Sequence, residues 1–493
     1  MMTVENPAPP AGADSPPNGV IGNEQRLRRG ALGILDISAA TMANIGPAMS
    51  FFFGFGLIAA TAGLASPLTI VAAAIAIALL GNTLAQFARA QPSAGGFITF
   101  VGKTFGGTSA VATALIAGLG YIIALSAVIA VSGGFLSITL QRYLHWNVPW
   151  GILTLILTGL AVFIMVRGVA VSTKLAGFFF GFEMLVLVVI SVTVLIRNGG
   201  HLSLAPLEPS HITHGLSGLA AGFPLAIYLF VGWENSAALA EETDNPRRNV
   251  PRAVFTSIAI MAVSYVLFAY ATVTGFGDNV GKLGQSAIPF ITVADTTLGV
   301  FAFFAYLAGL TSTLGALIAG TNSQARLLFN AGREGLLPRW LGEVHRTRRT
   351  PVNSIFVFIS IALAIIGVWA LLHVITGSSG AMDPINYFDE ASTMGTVLIL
   401  LVYLLSNLAL PFYYRKYRPS EFRLVKHGVL PALGAIAIVV PLYYLAKPGQ
   451  PTPYDWFPYA ALGVAVTATS YAFVLNRRDS GLAGRVGSLV ADE

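Results

Sequence analysis

Long apolar runs separated by short polar segments fill most of the chain. A run of about 20 apolar residues can cross the roughly 30 Å hydrocarbon core of a bilayer as a helix. Such runs lie near residues 33–60, 66–88, 108–138, 150–166, 173–196, 216–240, 253–276, 301–329, 353–375, 391–413, 428–446 and 454–475. We therefore predict an all-α membrane protein with about twelve transmembrane helices.

Two of these spans contain residues that interrupt a helix. The first span holds Gly46 and Pro47; a proline lacks an N–H, and its ring clashes with the preceding turn. The sixth span holds Gly232-Trp233-Glu234 after an apolar run. At about 1.5 Å per residue, both interruptions lie near the bilayer centre. Broken helices five spans apart that enter from opposite faces predict an inverted five-plus-five repeat with the binding site between them.

This architecture divides the chain into four predicted parts. Residues 1–31 form a disordered cytoplasmic segment, 32–413 the ten-helix transport core, 414–476 helices eleven and twelve, and 477–493 a cytoplasmic tail. The first segment shows neither an apolar h-region nor a small-residue cleavage site, so we expect no removable signal peptide.

The basic residues predict the orientation. When the loops are assigned to alternate sides, all but four of the 28 Lys and Arg residues fall on one side, the exceptions being Arg142, Arg197, Lys282 and Lys447. Basic loops stay in the cytoplasm, so we predict a multi-pass protein of the cytoplasmic membrane with both termini cytoplasmic. The net charge of +6 then reflects topology, and no nucleic-acid partner is needed to explain it. The absence of cysteine excludes disulfides and thiolate metal sites.

Four local patterns occur at or next to the predicted spans. They are Asn44-Ile45-Gly46-Pro47, Ala90-Gln91-Pro92-Ser93-Ala94-Gly95-Gly96, the stretch from Gly232-Trp233-Glu234 to Asn245-Pro246-Arg247-Arg248-Asn249-Val250-Pro251-Arg252, and Asn322-Ser323-Gln324-Ala325-Arg326 with Gly332-Arg333-Glu334-Gly335-Leu336-Leu337-Pro338. With them the chain resembles the amino acid–polyamine–organocation permease superfamily. The resemblance implies the inverted-repeat fold and the uptake or exchange of amino acids or related amines.

The chain departs from the superfamily pattern at two positions. Gly46-Pro47-Ala48 replaces the small triplet whose N–H groups hold a substrate carboxylate, and Gln91 replaces an acidic residue. Pro47 removes one donor, which weakens carboxylate capture but leaves the positive end of the half-helix that follows.

The two breaks predict the substrate site. An unwound segment exposes backbone groups that lipid cannot satisfy, so it faces protein, water or a ligand. The first break offers Asn44, Gly46, Pro47, Ala48, Met49 and Ser50, whose N–H groups suit a carboxylate; the second offers Phe230, Val231, Gly232, Trp233 and Glu234, whose oxygens suit an ammonium. An α-amino acid fits both ends. If Glu234 is ionised and unpaired, it favours a cationic amino acid or a diamine. Glu234 could instead bond the broken backbone, and Trp233 and Phe230 could simply pack.

The coupling ion has two candidate sets of residues. Glu183, a second acidic residue in mid-membrane, could carry a proton or form a packing hydrogen bond. Thr311, Ser312 and Thr313 could bind sodium with carbonyls near Ala40 and Ala43, or could bond to their own helix. We expect the proton, with sodium as the alternative.

A charged cluster follows the sixth span. Glu241, Glu242, Arg247 and Arg248, together with Arg326 of the eighth span, could form a cytoplasmic gate of ion pairs or serve as solvated topology anchors.

The sequence thus predicts a secondary active transporter, not an enzyme. It shows no metal-ligand spacing of histidines and no phosphate-binding Gly-rich loop, so we expect no metal, no cofactor and no ATP coupling. The expected partners are an amino acid or amine substrate, the coupling ion and the lipid bilayer, and the oligomeric state stays open. We expect proton-coupled uptake by alternating access; the alternatives are exchange, or a sensor or channel on the same fold.

Overall fold

The computed structural model describes residues 32–93, 95–277, 279–345, 350–375 and 382–478. The predicted segment 1–31 lies outside these ranges, and of the predicted tail 477–493 only Arg477 and Arg478 lie inside them. No β-strand occurs among the described residues.

The first half of the core contains five spans and one short helix. Its helices are α1 (Ile34–Ile45), α2 (Pro47–Ala62), α3 (Ser66–Ala90), α4 (Gly96–Phe105), α5 (Gly107–Leu144), α6 (Trp150–Val166) and α7 (Val169–Arg197). Together, α1 and α2 are the first predicted span, whereas α4 is a short helix that the apolar pattern did not predict.

The second half repeats this plan. Its helices are α8 (Gly215–Tyr228), α9 (Asn235–Ala238), α10 (Pro246–Gly275), α11 (Val280–Gln285), α12 (Pro289–Leu298), α13 (Phe303–Arg333), α14 (Val352–Ile375) and α15 (Pro384–Tyr417). Here α8 and α9 are the sixth predicted span, and α11 and α12 are short helices in the connection between α10 and α13. The last two spans are α16 (Leu430–Leu445) and α17 (Phe457–Arg478).

These helices have the length and apolar character that a bilayer requires. In the described ranges, nine helical stretches can cross a membrane, and one of them, Ile34–Ala90, is 57 residues long and holds two spans. Shorter apolar helices occur at Trp150–Val166 and Gly215–Tyr228. Leu371, Leu372 and Ile375 are more than half exposed, which suits a surface in contact with lipid. The chain is therefore a multi-pass, all-helical membrane protein, as predicted.

The breaks lie at the positions that the sequence indicated. Helix α1 ends at Ile45, Gly46 adopts φ +61°, and α2 begins with Pro47, whose missing N–H costs nothing at the first position of a helix. In the sixth span, α8 ends at Tyr228 and α9 begins at Asn235, with Gly232 at φ +109° between them. Only glycine adopts such positive φ values without strain.

Aromatic side chains pack α2 against α10 and α12. Phe51 of α2 stacks on Phe55 with ring centroids 4.7 Å apart and meets Phe268 of α10 and Phe290 of α12 edge to face. All four rings are buried. Helix α2 is thus held by aromatic contacts with α10 and with α12.

Helices α5 and α15 are in backbone contact where Gly120 and Gly395 face each other. A Cβ on Gly395 would lie 2.7 Å from the Gly120 carbonyl oxygen and 2.9 Å from the Ala124 nitrogen. Both atoms belong to the backbone of α5, so they cannot move aside cheaply. Small residues of this kind let membrane helices pack backbone to backbone.

We predict that Gly395→Ala lowers the free energy of unfolding by about 1–3 kcal/mol, because the added methyl group forces α15 away from α5. Thermal unfolding in detergent measures the change. Gly159→Ala on α6 is the control, since a Cβ there meets nothing within 4 Å. The higher helix propensity of alanine should leave the stability of this variant unchanged or raise it. A melting temperature for Gly395→Ala equal to that of Gly159→Ala would disprove the close-contact explanation.

Candidate functional site

The backbone N–H groups at the start of α2 have partners within the protein. The Ala48 N–H donates to Glu183 Oε2 at 2.9 Å, and the Met49 N–H donates to Ser312 Oγ at 2.9 Å. The Ser50 N–H bonds the Gly46 carbonyl at 2.8 Å. The N–H groups of Ala48 and Met49, which we predicted to bind a substrate carboxylate, therefore donate to the Glu183 carboxylate of α7 and the Ser312 hydroxyl of α13.

Ser50 also closes the other end of this break. Its hydroxyl donates to the Ile45 carbonyl at 2.7 Å, which satisfies an acceptor left open where α1 ends. The first break is thus held by side chains from three helices, and each of its hydrogen bonds is buried.

Glu234 lies at the second break and is surrounded by neutral donors. The Tyr121 hydroxyl of α5 donates to Glu234 Oε1, and the Gly232 N–H donates to Oε2 at 3.1 Å. Among the described residues, no basic side chain forms an ion pair with Glu234. Its carboxylate bonds the broken backbone and also lines the larger of the two cavities described below.

Phe230 and Trp233 lie in the packed core. The Trp233 Nε1–H donates to the Tyr403 hydroxyl at 3.1 Å, and its ring contacts Phe97 and Tyr403. Phe230 packs edge to face on Tyr265. Neither ring lines the two cavities described next, whereas Val231 does.

Two cavities meet between the broken helices. The smaller, of about 340 Å³, is lined by Asn44, Ile45, Met49, Ser50, Ala124, Leu125, Val128, Tyr228, Val231, Ala316, Gly320 and Gln324. The larger, of about 650 Å³ including space open to solvent, adds Phe97, Tyr121, Glu234, Asn235 and Arg326 among its lining residues. Asn44 and Gln324 line both cavities, so these two amides mark their junction.

Three amide oxygens of residues that line the cavities are buried and have no hydrogen-bond partner among the residues that the structure describes. They are Asn44 Oδ1, Asn235 Oδ1 and Gln324 Oε1. An unpaired buried acceptor costs about 1–3 kcal/mol, which a bound donor recovers. The sequence analysis proposed Asn44 but missed Gln324, Asn235 and Tyr121. The polar run Asn322-Ser323-Gln324 inside an apolar span was the available signal for Gln324; nothing singled out Tyr121.

The hydroxyl groups that were predicted as sodium ligands form hydrogen bonds within the protein. The Thr311 hydroxyl donates to the Leu307 carbonyl at 3.0 Å and the Thr313 hydroxyl to the Leu310 carbonyl at 2.9 Å, both within α13. The Ser312 hydroxyl instead reaches the start of α2. The Ala40 carbonyl of α1 accepts from Asn235 Nδ2 of α9 at 3.4 Å.

Part of the predicted gate forms an ion pair. Both terminal nitrogens of Arg326 lie 3.2 Å from Glu242 Oε2, and one also donates to the Ala238 carbonyl at 3.4 Å. The two side chains are only 9% and 14% exposed. Arg247 and Arg248 are exposed at the start of α10, and the side chain of Glu241 lies outside the described part of the chain.

The start of the first span joins the same region. The Leu32 N–H donates to the Glu242 carbonyl at 3.1 Å, and the Asp244 N–H donates to the Leu32 carbonyl at 2.9 Å. These two bonds tie residues ahead of α1 to the segment that follows α9, next to the Arg326–Glu242 pair.

Comparison with known proteins decides the family. Residues 32–467 match the sequence profile described as amino acid permease. The chain belongs to this family. The matched region includes all the helices described above apart from the end of α17, and it includes both helix breaks. The superfamily resemblance drawn from the local motifs is confirmed.

Two curated relatives carry the same kind of name. The branched-chain amino acid permease BcaP of Lactococcus lactis is 25% identical over 57% of the chain and 56% of its own length. The BcaP protein of Bacillus subtilis is 23% identical over 90% of the chain and 93% of its own length. The chain thus spans little more than half of the first of these relatives and nearly all of the second.

A solved structure shares the fold. A mutant of the manganese transporter of Eremococcus coleocola superposes with a TM-score of 0.54 at 13% identity, covering 90% of the chain and 95% of that protein. At this identity the likeness concerns architecture alone, and it agrees with the predicted fold class.

We predict that Glu242→Gln lowers the free energy of unfolding by about 1.5–3 kcal/mol, because the nearly buried Arg326 loses the charged partner that it has among the described residues. Thermal unfolding in detergent checks this. Glu421→Gln is the matched control: Glu421 also pairs with an arginine, Arg418, but is 55% exposed, and such pairs contribute about 0–1 kcal/mol. Equal effects of the two substitutions would contradict a structural role for the buried pair.

Proposed function

We propose that the chain is a secondary active transporter that moves amino acids or related amines across the cytoplasmic membrane by alternating access. The observation that carries the proposal is the pair of cavities between the two helix breaks, which meet at Asn44 and Gln324 and reach the Glu234 carboxylate. Both breaks lie inside apolar spans, where irregular backbone is tolerated only against protein or a water-filled cavity.

In this proposal the ammonium group of the substrate binds near Glu234. In the described part of the chain, the carboxylate has no basic partner, and the neighbouring oxygens of Asn44 and Gln324 accept no hydrogen bond. An ammonium offers three donors and a positive charge, which complements this set. The names of the relatives, branched-chain amino acid permeases, support substrates that carry such a group.

The Arg326–Glu242 pair serves as the gate in this scheme. The positive-inside rule assigns its side of the membrane to the cytoplasm, with both termini on that side. The larger cavity reaches Arg326, which supports a gate on that side of the substrate site. Opening and closing would follow from rocking of α1, α2, α3, α8, α9 and α10 against the remaining helices.

Glu183 is the proposed proton carrier. It is buried at 2% exposure, and its carboxylate joins α7 to the first residues of α2. A protonated carboxyl accepts a hydrogen bond from the Ala48 N–H less strongly than a carboxylate does. Protonation would therefore loosen α7 from the moving bundle and link proton entry to the conformational change. Exchange without a proton is the second candidate, and it needs no change at Glu183.

We expect Glu234→Gln to reduce substrate uptake about 10- to 100-fold, the loss that corresponds to a charged hydrogen bond of about 1.5–3 kcal/mol. Uptake of radiolabelled amines and amino acids into proteoliposomes measures this, with Glu421→Gln as the control that also removes one carboxylate. Accumulation against a gradient separates transport from a channel. Normal uptake by Glu234→Gln would reject the proposed recognition role.

We expect Glu183→Gln to lose accumulation driven by an inward proton gradient while retaining exchange of substrate across the membrane. Glutamine still accepts from the Ala48 N–H but cannot take up a proton. The two activities are compared in proteoliposomes with an alkaline interior and in counterflow without a pH difference. If gradient-driven accumulation survives in the variant, Glu183 is not the proton carrier.

A further inference from the structure

The connection between α15 and α16 is rich in basic residues. From position 415 to position 426, five of the twelve residues are Lys or Arg, and one is acidic. The acidic residue, Glu421, pairs with Arg418 at 2.9 Å. The other four basic side chains are exposed and have no carboxylate partner among the described residues. We call these four residues the basic patch: Arg415, Lys416, Arg423 and Lys426.

Apolar side chains are exposed beside these charges. Leu424 is 64% exposed, Val425 60% and Val429 43%. They lie at or next to the start of the apolar stretch Val425–Leu445, which continues into α16 and is long enough to cross a membrane. Where a span leaves the bilayer, apolar side chains contact the acyl chains and cationic side chains reach the headgroups. This combination is therefore typical of a contact with phospholipid.

Hydrogen bonds and ring stacking hold the backbone of this segment in place. His427 is buried, and its ring stacks on Tyr414 of α15 with centroids 3.6 Å apart. The Arg423 N–H donates to His427 Nδ1 at 2.9 Å, and Asn82 Nδ2 of α3 donates to the Lys426 carbonyl at 2.8 Å. The backbone that carries these two cations is thus fixed to α3 and α15. A ligand that binds there pays little for ordering the chain.

Three cations of the patch lie close to one another. The His427 N–H donates to the Arg423 carbonyl at 2.9 Å, as in a helical turn. Side chains three positions apart on such a turn are neighbours, which places Lys426 beside Arg423. The guanidinium of Arg415 lies 5.1 Å from the ring centroid of Phe422, the residue before Arg423. The segment therefore concentrates positive charge at the end of α16.

We propose that the basic patch binds the phosphate group of an anionic phospholipid, with Leu424 and Val425 against the acyl chains. An arginine donates paired hydrogen bonds to two phosphate oxygens, and a lysine adds a compact positive charge. The positive-inside rule assigns the patch to the cytoplasmic leaflet, where anionic lipids attract basic segments next to a span. The patch residues line neither substrate cavity, so this proposal does not depend on the transport function.

The exposed apolar residues favour a lipid over a free phosphate. A soluble anion would use the four cations alone and would leave Leu424 and Val425 in water. A phospholipid covers both kinds of side chain at once, because its phosphate and its acyl chains are joined in one molecule. The burial of apolar surface then adds to the attraction between the charges.

Lipids that differ only in headgroup charge test the proposal on the unaltered protein. The purified protein in detergent is titrated with phosphatidylglycerol or with phosphatidylcholine of the same acyl chains, and thermal unfolding reports binding, because a ligand of the folded state raises its apparent stability. We expect the apparent affinity for phosphatidylglycerol to be at least about tenfold higher. Glycerol 1-phosphate is the soluble probe, and we expect it to bind at least about tenfold more weakly than phosphatidylglycerol.

The double variant Arg423→Gln/Lys426→Gln removes two cations of the patch. One basic side chain near an anionic headgroup contributes about a fivefold factor in affinity, so we expect the affinity for phosphatidylglycerol to fall about 10- to 30-fold. The matched control is Arg167→Gln/Lys174→Gln, which removes two exposed cations from the connection between α6 and α7. It should change the affinity less than about threefold, because charges outside the patch are screened.

Each result decides for or against the lipid site. Equal affinities for the two phospholipids, or equal losses in the double variant and its control, would show that these cations are only solvated topology anchors. If glycerol 1-phosphate binds as tightly as phosphatidylglycerol, the patch takes a soluble phosphate and the lipid is rejected. A melting temperature without lipid that is close to that of the unaltered protein shows that the double variant is folded. A preference for phosphatidylglycerol that is lost in the patch variant alone supports the proposal.

Discussion

The structure depends on satisfying broken helix ends in a place where lipid offers no hydrogen bonds. Each unwound segment frees peptide N–H and C=O groups, and each such group costs several kcal/mol if it stays unpaired in hydrocarbon. At the first break, Glu183, Ser312 and Ser50 provide the partners, all buried. These bonds also lock α7 and α13 against the start of α2. The hydrogen bonds that satisfy the first break therefore also join α2 to α7 and α13, the helices against which α2 would move.

At the second break, a residue of the broken segment itself satisfies a free backbone N–H group. Glu234 bonds the Gly232 N–H within its own segment, and Tyr121 of α5 holds the other oxygen of the carboxylate. One carboxylate thus stabilises the break while facing a cavity. At the first break, by contrast, Glu183 does not line either cavity. These two buried acids have different surroundings, which is why we propose ligand recognition for Glu234 and proton transfer for Glu183.

Helix α13 connects the three parts of the site. Ser312 contacts the first break, Gln324 lies at the junction of the cavities, and Arg326 pairs with Glu242 at the proposed gate. At 1.5 Å per residue, these contacts extend over about 20 Å of one helix. A shift of α1, α2 and α9 relative to α13 would change all three together. This rigid element offers a physical route by which occupancy of the cavities could affect the gate.

Local properties of the sequence determined the apolar spans, the breaks at Gly46 and Gly232, and the importance of Glu234 and Glu183, because length, helix-breaking residues and a carboxylate in an apolar run are visible without any partner. The partners themselves came from the tertiary structure. Glu183 meets Ala48 across 135 positions of sequence, and Phe230 and Trp233 turn into the core while Val231 and Glu234 face the cavities. In helices that are apolar on every side, periodicity does not reveal which face points inward. Only the packing of distant helices decides that rotation, and with it which donors and acceptors a ligand meets.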